Sequence, residues 1–223
     1  SEVTKNIDEE LEPKPNLAYS KSKYLTELDL KNSNKNYVIL RLGSVYGLSF
    51  DSTRLNIMPN YFAKITSSNG EIKLFGGGKQ LKSLVSVFDV ARCMEFVGES
   101  KYINKETFNC VNENNTVEEV ADLCKKINKK ISITKSNDAV PNLGYSLSNK
   151  KIKDTGFKFL YTLEPSLREM IRTWSFKSEE NYNEILERGE DPYIDSRGII
   201  ENYYFGDPIN MIGYVESKEG SVR

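Results

Sequence analysis

Short apolar runs alternate with amphipathic stretches over the first 175 residues, and this alternation predicts strands and helices in turn. Residues 38–42 form an almost continuous apolar run that ends at Gly43, as expected for a buried parallel strand. Helical periodicity precedes this run in residues 18–30 and follows it in residues 55–66. The order of helix, buried strand and helix is typical of an α/β layer structure.

The same pattern continues to residue 174. Residues 1–16 are polar and punctuated by proline, which predicts a surface loop. Asp89 is expected to cap a helix, and Thr116 with Glu119 is expected to form a capping box. The further strands predicted are 71–75, 84–88, 108–111 and 131–134, and the further helices are 90–98, 116–126, 148–156 and 163–174.

The composition changes after Trp174. Residues 175–190 are charged and rich in asparagine, which is typical of a linker or an exposed helix. Aromatic and β-branched residues dominate from Ile199 onward, with turn residues between them, and this pattern predicts β-strands. We therefore divide the chain into an α/β part, residues 1–176, and a linker with a short β-rich tail, residues 177–223.

Composition excludes several classes of function. The 223 residues are 38% hydrophobic and 28% charged with a net charge of −1, so neither nucleic acid nor an anionic membrane is an expected partner. No apolar run approaches the ~20 residues of a membrane span. The three cysteines, Cys93, Cys110 and Cys124, lack metal-ligand spacing and are expected to be reduced, mostly buried thiols of a cytoplasmic protein.

The chain contains no histidine. A Ser-His or Cys-His couple and a histidine-based zinc site are therefore excluded within it. Acid–base chemistry near neutral pH must instead use a tyrosine, lysine, carboxylate or cysteine whose environment favours the reactive form.

Tyr19 and Lys23 are the best candidates for such chemistry. Four residues apart on a helix, their Cβ atoms lie roughly 5–6 Å apart on one face. Free tyrosine titrates near pH ~10, but a neighbouring ammonium in a dry pocket stabilises a phenolate, which can take a proton from a sugar hydroxyl as a hydride leaves the same carbon. The alternative is an exposed helix face without function. Tyr214 and Lys218 have the same spacing, but a predicted strand there would separate their side chains.

Four ordered segments resemble the extended short-chain dehydrogenase/reductase family, the NAD-dependent sugar epimerases and dehydratases. The resemblance covers about residues 1–175 and implies the C-terminal part of a Rossmann-like parallel-sheet domain with a small α+β substrate lobe. The segments are Ala-Tyr-Ser-Lys-Ser-Lys at 18–23, Leu-Arg-Leu-Gly-Ser-Val-Tyr-Gly at 40–47, the run from Phe75 to Ala91, and Thr-Gly-Phe at 155–157.

The resemblance implies roles for five residues. Tyr19 would be the general base, and Lys23 would stabilise its phenolate and hydrogen-bond the nicotinamide ribose of NAD or NADP. Ser44 stands where the family usually has an asparagine that contacts the diphosphate sugar, and a simple turn residue is the alternative. Phe75 would lie near the nucleotide base. Lys82 replaces a phosphate-gripping arginine and would act as a point charge, although a plain hairpin turn is an alternative for this glycine-rich segment.

Two features depart from the family. The glycine-rich dinucleotide fingerprint is absent, and the serine or threonine that assists the tyrosine is expected ahead of Ser1, so we expect a missing N-terminal dinucleotide-binding segment to be a partner. At the other end, segments at 195–198, 208–210 and 217–223 resemble the first strands of a cupin-type sugar-epimerase domain. A β-arm that packs on the first domain or on a partner subunit is the alternative.

The resemblance implies an enzyme, an NAD(P)-dependent epimerase, dehydratase or 4-keto reductase that acts on a nucleotide-diphosphate sugar. It would be a cytoplasmic homodimer in surface polysaccharide or deoxysugar biosynthesis. Ser44 and Lys82 depart from the family pattern and motivate one alternative, a non-catalytic nucleotide-binding scaffold or regulatory protein on the same fold. A second alternative is an inactive fragment, since without the family's first strands the sheet would have an unpaired edge and an uncovered apolar face.

Overall fold

The computed structural model describes residues 4–48, 53–138 and 143–179, with four further strand segments in the tail and side chains up to residue 175. None of the helices within these ranges combines the length and apolar character that a membrane span requires. The helices are α1 (Ala18–Lys31), α2 (Met58–Ser67), α3 (Val87–Glu99), α4 (Val117–Ile127), α5 (Lys150–Asp154) and α6 (Leu163–Glu179).

The strands of the α/β part pair mostly in parallel, as helical crossovers between strands require. β2 pairs with β6, β4 with β8 and β1 with β9, while β5 lies between a parallel β3 and an antiparallel β7. The strands are β1 (Thr4–Ile7), β2 (Val38–Leu42), β3 (Ser44–Tyr46), β4 (Glu71–Leu74), β5 (Leu81–Ser86), β6 (Glu106–Cys110), β7 (Glu113–Thr116), β8 (Ser132–Lys135) and β9 (Tyr145–Leu147).

Strand β5 separates two hydrophobic clusters. Adjacent strand residues face opposite sides, and Leu84 packs with helices α2, α4 and α6 while Val85 packs with α3 and β6. Both side chains are fully buried. The mixed α/β fold with parallel strands that the sequence predicts is therefore confirmed.

Most predicted elements are confirmed within a few residues. The capping box is present, because the Thr116 hydroxyl accepts from the Glu119 backbone N–H and the Glu119 carboxylate accepts from the Thr116 N–H. Cys93, Cys110 and Cys124 are free and buried, as predicted.

Three predictions need correction. Residues 1–16 are not all loop, since Thr4–Ile7 forms β1 by pairing with a strand about 140 residues away, which local polarity cannot reveal. The glycine run at 75–78 is a tight turn in which Gly76, Gly77 and Gly78 have positive φ angles of 58°, 67° and 74°. A hairpin is excluded there, because β4 and β5 do not pair.

Asp89 is not the helix cap. Helix α3 begins earlier, at Val87, and Ser86 caps it by accepting from the Phe88 N–H at 3.3 Å. Asp89 is instead completely buried inside the first turn. Its carboxylate accepts from Arg92 Nη1 at 2.6 Å and from the backbone N–H groups of Leu160 and Tyr161 at 3.0 Å each. It therefore holds the segment that leads into α6.

The predicted strands of the tail are present in the backbone. β12 (Gly198–Tyr204) pairs antiparallel with β10 (Glu187–Arg188), β11 (Tyr193–Asp195) and β13 (Ile212–Ser217). Tyr214 thus lies in a strand, as predicted, whereas Lys218 lies outside the described residues. Most of the residues that carry the cupin resemblance, 196–197, 208–210 and 218–223, also lie outside the described residues. The cupin-like assignment of the tail therefore stays a prediction.

Glu113 provides a pH-dependent contribution to stability. Its Oε2 accepts from the Leu163 N–H at 2.5 Å, and burial raises the pKa of its carboxyl group. The native state therefore holds this proton more tightly than the unfolded chain, so its contribution to stability declines as pH rises from the unfolded pKa through the folded one. We therefore expect the unfolding free energy of Glu113→Gln, measured relative to that of wild type, to increase as pH rises from about 4 to about 7.

Urea unfolding at both pH values measures this gain. Glu95→Gln is the matched control, since it removes the same charge at an exposed position of α3. A wild-type-to-variant difference in unfolding free energy that does not change with pH would contradict the prediction.

Candidate functional site

Tyr19 and Lys23 lie together on helix α1. Leu17 precedes the helix in an extended conformation, and its carbonyl accepts from the Lys21 N–H at 2.9 Å, which starts the first turn at Ala18. Lys23 Nζ lies 5.6 Å from the centroid of the Tyr19 ring. Tyr19 is 74% exposed, so its hydroxyl is open to a ligand.

Helix α1 is positioned by an ion pair. It contains no fully buried residue, but Glu27 on the same face as Lys23 binds Arg41 of β2 in a two-pronged contact. Arg41 Nη2 lies 2.7 Å from Glu27 Oε2, and both side chains are only 17% exposed. Bidentate arginine–carboxylate pairs fix geometry as well as energy. This contact sets the helix, and hence Tyr19, against the end of β2.

Tyr19 borders a cavity of about 580 Å³ at the carboxyl ends of β2 and β3. Open α/β sheets bind ligands at this end of their strands, and the volume lies within the ~300–1,000 Å³ range of small-molecule sites. The other residues around it are Leu42 to Leu48, Arg54, Ile57, Asn60 and Val87.

Two glycines hold the wall of this cavity close to β5 and to the start of α3. A β-carbon at Gly43 would lie 2.7 Å from the Ser83 carbonyl oxygen, and one at Gly47 would lie 2.6 Å from Val87 Cγ1. Gly47 also has a φ of 146°. Neither position accepts a side chain without a shift of its neighbours. Residues 43–47 are therefore packed tightly against β5 and the start of α3.

Asn60, which the sequence analysis did not predict as a site residue, links Gly47 to Arg54. Its buried side chain accepts from the Gly47 N–H at 2.9 Å and donates to the Arg54 carbonyl oxygen at 3.2 Å. The sequence gives no sign of these two hydrogen bonds, because the partners lie 13 and 6 residues before Asn60 and outside its helix.

Ser44 joins the Tyr19 cavity to a second, smaller one. The second cavity, of about 210 Å³, shares residues 42–44 with the first and contains Lys82 and the half-exposed Tyr145. Ser44 therefore borders both the cavity that Tyr19 borders and the cavity that contains Lys82. Phe75 borders neither cavity and is 59% exposed on the glycine-rich turn.

Tyr46 lies in the same motif but has a structural role. It is 1% exposed, and its hydroxyl donates to the Tyr161 carbonyl oxygen at 3.4 Å. Burial raises the pKa of the Tyr46 phenol. It is therefore unsuited to proton transfer at neutral pH.

The geometry of this site can be compared with known proteins. Residues 1–110 match the NAD dependent epimerase/dehydratase family. The matched region contains Tyr19, Lys23, Ser44, Phe75 and Lys82. No curated protein matches the chain.

Solved epimerase and dehydratase structures share the fold. The UDP-glucose 4-epimerase of Thermotoga maritima, solved with UDP-glucose, is 23% identical over 81% of this chain and 60% of its own, with a TM-score of 0.66. The dTDP-glucose 4,6-dehydratase of Bacillus anthracis, solved with NAD, is 21% identical over 80% and 58%, with a TM-score of 0.64. RMD of Pseudomonas aeruginosa, complexed with NADPH, is 17% identical over 76% and 60%, with a TM-score of 0.65.

These likenesses establish a Rossmann-like fold of the epimerase/dehydratase type. This chain spans about 60% of the length of the structures that it matches.

Proposed function

We propose that this chain carries the catalytic pair and part of the substrate cleft of an NAD(P)-dependent epimerase or dehydratase that acts on a nucleotide-diphosphate sugar. The observation that carries the proposal is the position of Tyr19 at the edge of the 580 Å³ cavity with Lys23 against its ring. The family match over residues 1–110 and the shared fold support it.

In this proposal the Tyr19 phenolate accepts the proton of a sugar hydroxyl, and the bond from the same carbon to hydrogen breaks to leave a ketone. The ammonium of Lys23 stabilises the phenolate, since an opposite charge within ~4–6 Å favours the ionised form. NAD or NADP, when bound, supplies the acceptor for the hydride. The ketone is then epimerised, reduced or dehydrated.

The residues of the chain fit one end of such a cofactor. Lys23 lies on the exposed face beside Tyr19 and can donate to a ribose hydroxyl, and the cleft next to Tyr19 has apolar walls from Leu42, Val45 and Val87 that suit a nicotinamide ring. Gly76–Gly78 links strand β4 to strand β5, so it is not the strand-to-helix loop that cradles a pyrophosphate.

Ser44 and Lys82 are proposed to hold the diphosphate. Ser44 lies in the part that the two cavities share, and Lys82 lies in the smaller one. A lysine there neutralises phosphate as a point charge without the fork of an arginine. Phe75 borders neither cavity, so in this proposal it would contact the nucleotide base only after the nucleotide has bound.

Replacement of Lys23 tests the proposal. A nearby cation changes the balance between charged and neutral forms of an acid by about 10-fold or more. We therefore expect Lys23→Met to lower kcat on a nucleotide-diphosphate sugar about 10-fold or more at neutral pH, with partial recovery as pH rises. Steady-state kinetics across pH, with the protein and NAD or NADP, measures both effects.

Lys21→Met is the matched control. Lys21 is an exposed lysine of the same helix, two residues away and therefore on another face. Equal losses in the two variants, or a Lys23→Met enzyme with unchanged kcat at every pH, would refute the assigned role.

A further inference from the structure

Arg54 provides the charge of the Tyr19 cavity. Among the described residues that surround this cavity, no acidic side chain occurs and Arg54 is the one with a formal charge. Three other arginines, Arg41, Arg92 and Arg168, pair with carboxylates at 2.6–2.7 Å. Arg54 is exposed, and its guanidinium forms no ion pair within the described part of the chain.

The backbone of Arg54 is fixed relative to the cavity wall. Its carbonyl oxygen accepts from the Ile57 N–H and from Asn60 Nδ2, each at 3.2 Å. Asn60 also accepts from the Gly47 N–H. The backbone of Arg54 is therefore linked through Asn60 to Gly47, directly after β3, and the arginine side chain extends from a defined point of the cavity wall.

The two cations that border the cavities lie on different sides of Ser44. Lys82 belongs to the smaller cavity and Arg54 to the larger one, which Tyr19 borders. If Ser44 and Lys82 hold the diphosphate, Arg54 lies on the side of the sugar that Tyr19 oxidises. A neutral hexose offers a guanidinium only single hydroxyl acceptors, whereas a carboxylate supplies the opposite charge and matches the planar fork with two parallel hydrogen bonds.

We propose that Arg54 binds the carboxylate of the sugar, so that the preferred substrate is a nucleotide-diphosphate uronate. This inference rests on the proposed function, because it assumes that Tyr19 marks the sugar end of the cleft. Arg54 is then a specificity-determining residue that acts in substrate binding and not in proton transfer.

The test compares binding of UDP-glucuronate and UDP-glucose by titration calorimetry in wild type, Arg54→Gln and Arg54→Lys. We expect wild type to bind UDP-glucuronate at least ~10-fold more tightly, because only the uronate supplies a carboxylate for a charge-assisted hydrogen-bonded pair with Arg54. Arg54→Gln should bring the two affinities together, and Arg54→Lys should keep part of the preference. Arg172→Gln, at an exposed position of α6, is the control and should keep all of it.

Several outcomes overturn the inference. Equal wild-type affinities for the two sugars would do so, as would an Arg54→Gln protein that loses affinity for both equally, because the arginine would then grip the diphosphate. Binding does not depend on hydride transfer. A uronate preference together with unaltered turnover in Tyr19→Phe would therefore refute only the proposed catalytic function.

Discussion

Tyr19→Phe is expected to lower kcat at least ~100-fold on a nucleotide-diphosphate sugar, with little change in KM. A positioned general base contributes about 10²- to 10⁴-fold to rate, and the substitution removes only the oxygen that would accept the proton. The ring and its contact with Lys23 are retained. An interaction made mainly in the transition state affects kcat more than KM.

Tyr102→Phe is the control for this experiment. Tyr102 is 97% exposed and is not among the residues around the Tyr19 cavity, so the same chemical change there should leave turnover unaltered. Thermal unfolding of both variants should match wild type, because Tyr19 is itself 74% exposed. Turnover of Tyr19→Phe within about threefold of wild type would remove this tyrosine from the mechanism.

Asp89→Ala is expected to lower the free energy of unfolding by ~2–4 kcal/mol, because a buried donor that loses its acceptor costs about 1–3 kcal/mol. The carboxylate is completely buried and satisfies three donors at once, Arg92 and the N–H groups of Leu160 and Tyr161. Removing it leaves those N–H groups without an acceptor and Arg92 without its counter-charge. Arg92 still donates to the Lys158 carbonyl oxygen at 3.0 Å, which limits the loss.

Urea unfolding of three variants tests this account. Asp154→Ala is the control, since Asp154 pairs with Lys150 one turn away on the surface, where such pairs are worth about 0.3–0.5 kcal/mol. Asp89→Asn should fall between wild type and Asp89→Ala, because an amide keeps one acceptor oxygen. Similar losses for Asp89→Ala and Asp154→Ala would show that the buried carboxylate is not a clamp.

Local patterns in the sequence were sufficient for most helices and strands. The capping box at Thr116 and Glu119 depends on residues three positions apart, so it could be recognised without any tertiary information. The pairing of β1 with β9 joins residues about 140 positions apart and could not. Asp89 was misassigned for a related reason, since its partners at 160 and 161 are distant in sequence and a helix start is uncertain by a few residues.

The candidate site also combines features that local spacing predicts with features that depend on the tertiary fold. The i, i+4 spacing on one helix predicted the contact between Tyr19 and Lys23, and the structure places Lys23 Nζ 5.6 Å from the ring centroid. Asn60 and Arg54 reach the cavity through the fold of a loop, which no spacing encodes. Phe75 carries a motif that resembles a base-binding segment, yet the turn at 75–78 directs it to neither cavity.

The attachment of helix α1 has a consequence for how activity fails. The helix is tied to the sheet chiefly by Glu27 and Arg41 and contributes no side chain to either hydrophobic cluster. Segments with few buried apolar contacts open at a lower free energy than the global unfolding reaction. Amide hydrogens of this helix should therefore exchange with solvent through a sub-global opening, and the proposed pair of Tyr19 and Lys23 would be displaced while the cooperative core is still intact.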